Sequence, residues 1–198
     1  MTEIFPLVNE EGVVIGKATR QECHSGSFLL HPVVHLHVFN SRGQLYLQKR
    51  ALNKDIQPGK WDTSVGGHVG YYESIEETTT AGGHLECNES IRDAFPDGSH
   101  VGCDETIEVA LRREALEELG IQGFEAIYLG KYTYRSDREF ELVNSFYTVF
   151  DGEILPDPGE ISEGRFWDIS EIRDNLGKNV FTPNFEQEAI NFLKKIMV

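Results

Sequence analysis

The chain has 198 residues and is acidic: 33 Asp plus Glu stand against 18 Lys plus Arg, for a formal net charge of −15. That length suits one domain, 1–198, with enough chain for a real core. The charge argues against a DNA or RNA polymer as an electrostatic partner, though not against a nucleotide held through a cation. The predicted elements begin with two short strands, 5–8 and 12–16, around an Asn9-Glu10-Glu11-Gly12 turn, followed by a short helix over 17–24. Strands are expected over 33–39 and 44–49, around Asn40-Ser41-Arg42-Gly43, and within 60–69, ending at the Gly66-Gly67 pair. A helix is expected over 106–119, strands over 124–134, 140–150 and 163–168, and a short helix over 170–175. Thr182 caps and Pro183 starts a last helix, to about residue 196. Mixed strands with helices on both sides make the expected fold class α/β, an α/β/α sandwich around a mixed sheet.

No stretch is apolar enough to span a bilayer, and the N-terminus has no basic region followed by an apolar run, so neither a membrane role nor a secretory signal is expected. Cys23, Cys87 and Cys103 show no metal-finger or redox-pair spacing, and their odd number suggests no disulfide framework. A cytoplasmic location is the expectation. Nothing in the sequence sets the oligomeric state; a homodimer is compatible with it.

The helix over 106–119 carries the chemistry. Glu114, Glu117 and Glu118 fall at i, i+3 and i+4, one turn apart on one face. Three like charges so close repel, and a hard divalent cation offsets that repulsion. Ile107, Ala110 and Leu111 lie on the same face one or two turns earlier, so the acids extend an apolar stripe. Gly120 is placed to end the helix with a left-handed residue. An isolated Glu-Glu pair on a helix is usually a solvated face; this constellation is less ordinary.

The stretch resembles the second half of the Nudix box, G-x5-E-x7-R-E-U-x-E-E-x-G-U, where U is a bulky aliphatic. Glu105, Arg113, Glu114, Glu117, Glu118, Gly120 and Ile121 match at the right spacing; Ala115 is smaller than the usual aliphatic. At the position of the opening glycine stands Ser99. The expected opening, Val65-Gly66-Gly67-His68-Val69, lies earlier and is echoed twice. Gly82-Gly83-His84-Leu85 and Gly98-Ser99-His100-Val101 each lead to a Glu (Glu89, Glu105), as Gly66-Gly67-His68-Val69 leads to Glu73, with sixteen residues between successive starts. Only the third copy continues into Arg113-Glu114. Residues 70–101 therefore read as an insertion of two extra copies of a 16-residue loop and helix start; without them Gly67-x5-Glu105-x7-Arg113-Glu114 is a complete box.

The N-terminal half resembles the Nudix branch that includes isopentenyl diphosphate isomerase, through Leu7-Val8-Asn9-Glu10-Glu11-Gly12, Leu30-His31-Pro32, Leu45-Tyr46-Leu47-Gln48-Lys49-Arg50 and Ser64-Val65-Gly66-Gly67-His68. That family's pattern has a cysteine where this chain has Gly66, and a Glu-x-Glu pair where it has Val143 and Ser145, so the resemblance implies loss of the isomerase's proton-transfer groups. Its metal histidines have counterparts in His24, His31 and His68, expected as buried hydrogen-bonding residues more than as ligands. His35 and His37 alternate with Val34, Leu36 and Val38 on one face of a strand and receive no ligand role. Trp61 is expected as core or pocket wall. Arg50, Lys54 and Lys60 flank the expected mouth.

The resemblance implies metal-dependent hydrolysis of a diphosphate linkage in a small-molecule substrate, of nucleoside diphosphate or related type. Mg2+ (or Mn2+) would be held by Glu117 and Glu118, with Glu114 as third ligand or base and the Gly67 carbonyl beside them. Arg113 would orient the carboxylates. Later carboxylates, Glu139, Glu141, Glu160 and Glu163, are alternative bases. A catalytically weakened binding or regulatory module, and an isomerase, are the competing readings.

Overall fold

The structure is a computed structural model that describes residues 2–71 and 105–193. Strands β1 (Ile4–Val8) and β2 (Val14–Thr19) form a two-stranded antiparallel sheet. Their turn is set by Asn9, whose Oδ1 accepts from Val13 N at 2.8 Å, and by Gly12 at φ 87°. Thr19 ends β2 and caps α1 (Arg20–Cys23). Its Oγ1 accepts from Glu22 N, and Glu22 Oε2 accepts from Thr19 N, a reciprocal capping box that starts the one-turn helix directly after the strand. The expected helix over 17–24 thus gives its first residues to β2.

A mixed seven-stranded sheet follows, with β3 (Leu30–Phe39), β4 (Leu45–Arg50), β5 (Trp61–Asp62), β6 (Val65–His68), β7 (Ile127–Arg135), β8 (Phe140–Val149) and β9 (Ile161–Trp167). β3 runs parallel to β8 and antiparallel to β6; β9 pairs with β4. The expected strand within 60–69 is split. Ser64 Oγ turns inward to bond Tyr46 O and to accept from Val38 N, and Thr63 Oγ1 donates to Leu36 O, so side chains interrupt the ladder. The strand expected from 124 starts at Ile127, because Phe124 turns into the core.

β3 is central and buried on both faces, so His31, His35 and His37 are buried along with its apolar residues. Val34, Leu36 and Val38 pack on α2 (Ile107–Leu119) through Ala110, Leu111, Ala115 and Leu119. On the other face Phe39, Leu45, Leu47, Trp61 and Trp167 pack on α3 (Ile169–Asn175) and α4 (Pro183–Glu188) through Ile172 and Phe185. This is the expected sandwich. Trp61 is core, edge-on to Trp167 at 5.0 Å. Thr182 caps α4, accepting from Phe185 N at 3.2 Å; beyond Glu188 the predicted long helix gives way to a π-helical turn, Ala189–Leu193. Among the described residues no helix is long and apolar enough to cross a membrane.

The repeat copies over 72–104 lie outside the described residues, as do Cys87 and Cys103. Their junction is described: Gly70 N donates to Glu105 Oε2 at 2.8 Å, and Glu105 N donates to Gly70 O at 3.2 Å. The chain therefore leaves and returns at one point. Deleting 70–101 puts Gly102 where Gly70 stands. We expect the shortened chain to fold with stability changed by no more than about 3 kcal/mol, since loop closure depends weakly on length. Urea denaturation checks this, and a deletion variant that stays unfolded would end the insertion reading.

Candidate active site

α2 delivers the acidic face. Thr106 caps it, accepting from Val109 N, and Gly120 ends it at φ 66°, a left-handed turn that costs glycine little. Ala115 is fully buried against the sheet, where a larger aliphatic would crowd a close helix–strand approach. The helix thus holds Glu114, Glu117 and Glu118 against β6. The contact is closest at Gly67: a Cβ there would sit 1.9 Å from Glu114 Cδ, so the glycine leaves room for the Glu114 side chain as it stands.

The three carboxylates differ in environment. Glu118 is buried, and its Oε2 accepts from Gln48 Nε2 at 2.9 Å and from Gly66 N at 3.1 Å. Burial, then the neighbouring Glu114, pushes its pKa up to about 8; burial likewise raises Glu114 to about 7, against the pull of Arg113. Glu117 is the most exposed of the three. Arg113 binds Glu105 in bidentate fashion at 2.7 and 2.9 Å, reaches Glu114 at 2.8 Å and Glu117 at 3.0 Å, and donates to His68 O at 2.9 Å. Glu105 is therefore a clamp for the arginine and the Gly70 turn. Two high-pKa carboxylates beside a third, against a glycine backbone, form an oxygen-rich set that suits a hard divalent cation.

These groups line one cleft of about 1340 Å³, with Arg50, Lys54, Glu139, Glu141 and Glu160. Arg50 pairs with Asp62 at 3.1 Å and Lys54 with Glu160. Two expectations are corrected. Lys60 bonds Asn179 and lines no part of the cleft. Glu163, out on β9, pairs with Lys49 at 3.6 Å and lines no part of the cleft.

At the other end His24, His31 and His68 converge, their ligand atoms within 4.8 Å of one another. His24 and His68 bring Nε2 atoms to 3.1 Å; Phe5 stacks on His68 at 4.3 Å between centroids. His31 Nδ1 lies 2.9 Å from Leu29 O, which only accepts, so the proton is on Nδ1. His31 Nε2 is then a lone pair, buried and without a hydrogen-bond partner. Burial lowers the pKa of all three, His24 to about 4. Neutral rings with one orphaned nitrogen fit a metal better than the buried hydrogen-bonding role expected from sequence. An acidic neighbour is also present: Glu139 stands 3.8 Å from His24. Glu139 stands just before β8 in Glu139-Phe140-Glu141, ahead of the positions Val143 and Ser145 that the isomerase pattern points to.

His35 and His37, which alternate along β3, and Glu188, at the far end of the chain, carry no motif that links them. The structure joins them. Glu188 on α4 is fully buried and accepts from His35 Nδ1 at 2.8 Å. The alternation along β3 was visible; the partner, far along the chain on another element, was not.

A family model described as NUDIX domain matches residues 78–185, more than half of the chain, and opens inside the stretch read as inserted. Isopentenyl-diphosphate Delta-isomerase of Escherichia coli O1:K1 / APEC is 41% identical over 76 residues, 38% of this chain and 42% of that protein. The enzyme of the same description from Shigella flexneri serotype 5b is 40% identical over the same shares. The match thus spans less than half of these relatives' length. Among solved structures, DR0079 from Deinococcus radiodurans superposes with a TM-score of 0.68 at 22% identity, covering 96% of this chain and 99% of that one. The MutT protein from Methanosarcina mazei Go1 gives 0.59 at 16%, covering 87% and 99%. The NUDIX domain of Shewanella oneidensis NrtR, complexed with ADP ribose, gives 0.54 at 14%, covering 86% and 89%. At those identities the likeness is one of fold. Fold, motif and family match agree: the chain belongs to the Nudix hydrolase superfamily.

Proposed function

We propose that the protein is a divalent-metal-dependent hydrolase of a diphosphate linkage in a small-molecule substrate. The observation that carries this is the trio Glu114, Glu117 and Glu118 lining one cleft, with Glu114 packed on Gly67, Glu114 and Glu117 bound by Arg113, and Glu118 held by Gln48 and the Gly66 N–H. Glu117 and Glu118, with Glu114 and the Gly67 carbonyl, would hold Mg2+ or Mn2+, and Arg113 sets the direction of the carboxylates. When bound, the cation neutralises charge on the phosphate oxygens and makes water a better nucleophile. Glu114, whose raised pKa lies near neutrality, would serve either as that third ligand or as the base; Glu139, Glu141 and Glu160 also face the cleft. Arg50 and Lys54 are cations that substrate phosphates would meet.

Release of phosphate or nucleotide with Mg2+ from a panel of nucleoside diphosphate derivatives and prenyl diphosphates tests this reading. No turnover on any member, with either cation, would favour a binding module. Interconversion of isopentenyl and dimethylallyl diphosphate is not expected, because Gly66 offers no proton-transfer group; robust interconversion would overturn that reading.

The histidine cluster supports a second metal position. We expect one equivalent of Zn2+ or Mn2+ to bind His24, His31 and His68, and the substitution His31→Phe to remove it while Mg2+ binding at the carboxylates persists. Calorimetric titration of metal into both proteins separates the two sites; an unchanged stoichiometry in the variant would remove the second one.

A further inference from the structure

The polar network behind the cleft is used by neither metal cluster. His35 and His37 project from β3 toward α4, where Glu188 lies between them. Its Oε2 accepts from His35 Nδ1 at 2.8 Å, and its Oε1 is 3.0 Å from His37 Nε2, off the line of a hydrogen bond. His37 is anchored in turn, with Nδ1 3.2 Å from Thr63 Oγ1. One ring of the pair is therefore structural. His35 differs, because it lines the cleft. Its Nδ1 is committed to Glu188, and among the described residues no partner meets its Nε2. Burial lowers its pKa, but the carboxylates of Glu188, Asp62 and Glu141 outweigh burial and raise it to about 9, so both ring nitrogens carry hydrogen at neutral pH.

Gly66 lies opposite His35 in the β3–β6 register. A Cβ there would lie 3.5 Å from His35 Cδ2 and Thr63 Cγ2 and 3.6 Å from His35 Nε2, ordinary contact distances. With glycine the side-chain space above residue 66 is left as a notch beside a ring N–H. The same glycine donates its backbone N–H to Glu118 at 3.1 Å, so the notch adjoins the carboxylate trio through one residue. The neighbouring wall is polar. Asp62 accepts from Thr182 Oγ1 at 2.6 Å and Glu141 from Asn184 Nδ2 at 3.1 Å, and all four residues line the cleft. A hydrocarbon tail seated there would strip these groups of water and give nothing back; a hydroxylated ring would pair with them.

We propose that His35, steadied by Glu188, is a specificity-determining residue that donates from Nε2 to a hydroxylated, sugar-bearing part of the substrate seated in the Gly66 notch. This rests on the reading of the cleft as a diphosphate hydrolase site, and it selects sugar-bearing diphosphates over prenyl ones.

The test compares wild type, His35→Gln, Gly66→Ala and the double variant on ADP-ribose and geranyl diphosphate with Mg2+. We expect wild type to favour ADP-ribose. Each single variant should raise KM for it about tenfold, the effect of one lost hydrogen bond to a charged donor, with a smaller change in kcat. The double variant should be no worse than the poorer single one, since both remove the same contact. A preference for geranyl diphosphate, or an unmoved KM in Gly66→Ala, overturns the proposal. Should His35→Gln fail to fold, Gly66→Ala, whose Cβ fits, carries the test alone. If wild type hydrolyses neither compound, the hydrolase reading fails on these probes, and calorimetric binding of ADP-ribose then decides. Binding weakened about tenfold in Gly66→Ala sustains the role of His35; no binding, or equal binding in both proteins, ends it.

Discussion

Glu118→Gln and Glu117→Gln are each expected to lower hydrolysis by roughly a hundredfold or more, because each removes a charge that the cation and the developing transition state require. The fold should survive. A glutamine at 118 keeps a carbonyl oxygen for the Gln48 amide and the Gly66 N–H, which are the bonds Glu118 accepts now. Glu117 is largely exposed and leaves only an ion pair with Arg113. Steady-state kinetics with Mg2+, together with Mn2+ titration, is the measurement; turnover unchanged in both variants would remove the proposed centre.

The same substitution has a signature in the metal-free protein. Glu118 is held in the fold with a pKa raised from the ordinary 4.5 to about 8, chiefly by burial and then by Glu114. The folded state therefore binds this proton more tightly than the unfolded chain. Between those two values stability falls as pH rises, because the fold must either keep a proton that solution withdraws or bury a charge. With chelator present, wild type should lose thermal stability from pH 5 to pH 8.5, and Glu118→Gln should lose less. Mg2+ should restore the wild type at the upper end and do little for the variant.

How much of this was legible in sequence depended on whether a signal was local. The carboxylate spacing on α2, the Thr182-Pro183 start of α4 and the Gly120 stop are all written within a few residues, and the structure has them. The sandwich followed from strand and helix order alone. The histidine cluster required three segments to meet: α1, the start of β3 and the end of β6. Its acidic neighbour Glu139 comes from a fourth, the turn just before β8. Glu188 was out of reach altogether. A lone Glu on a terminal helix reads as a solvated residue, and nothing near it says that two imidazoles from β3 will close over it. Lys60 and Glu163 show the converse: charge near a motif in sequence is not charge in the site, for Lys60 is held by Asn179 and Glu163, on β9, pairs with Lys49, both away from the cleft.

Glu188 is where the fold has most to lose from a single charge. Its side chain is fully buried and ionised, and burial alone would raise its pKa, but His37 and His35 hold it well below the usual carboxylate range. Removing one partner of a buried pair leaves the other desolvated and unmatched, which typically costs about 3–5 kcal/mol. We expect Glu188→Gln to lose stability in that range near pH 6 in urea denaturation. The pH dependence follows from the raised partner. The folded pKa of His35 is about 9, above its ordinary value of 6.5, so the stability it contributes is fully present below that ordinary value and is lost as pH rises through about 9. The gap between wild type and variant should therefore narrow from pH 6.5 to pH 10, where the ring is neutral and only the Nδ1 hydrogen bond remains to be lost. A gap that stays constant across that range would mean that His35 is neutral in the fold and that the pair is an ordinary hydrogen bond.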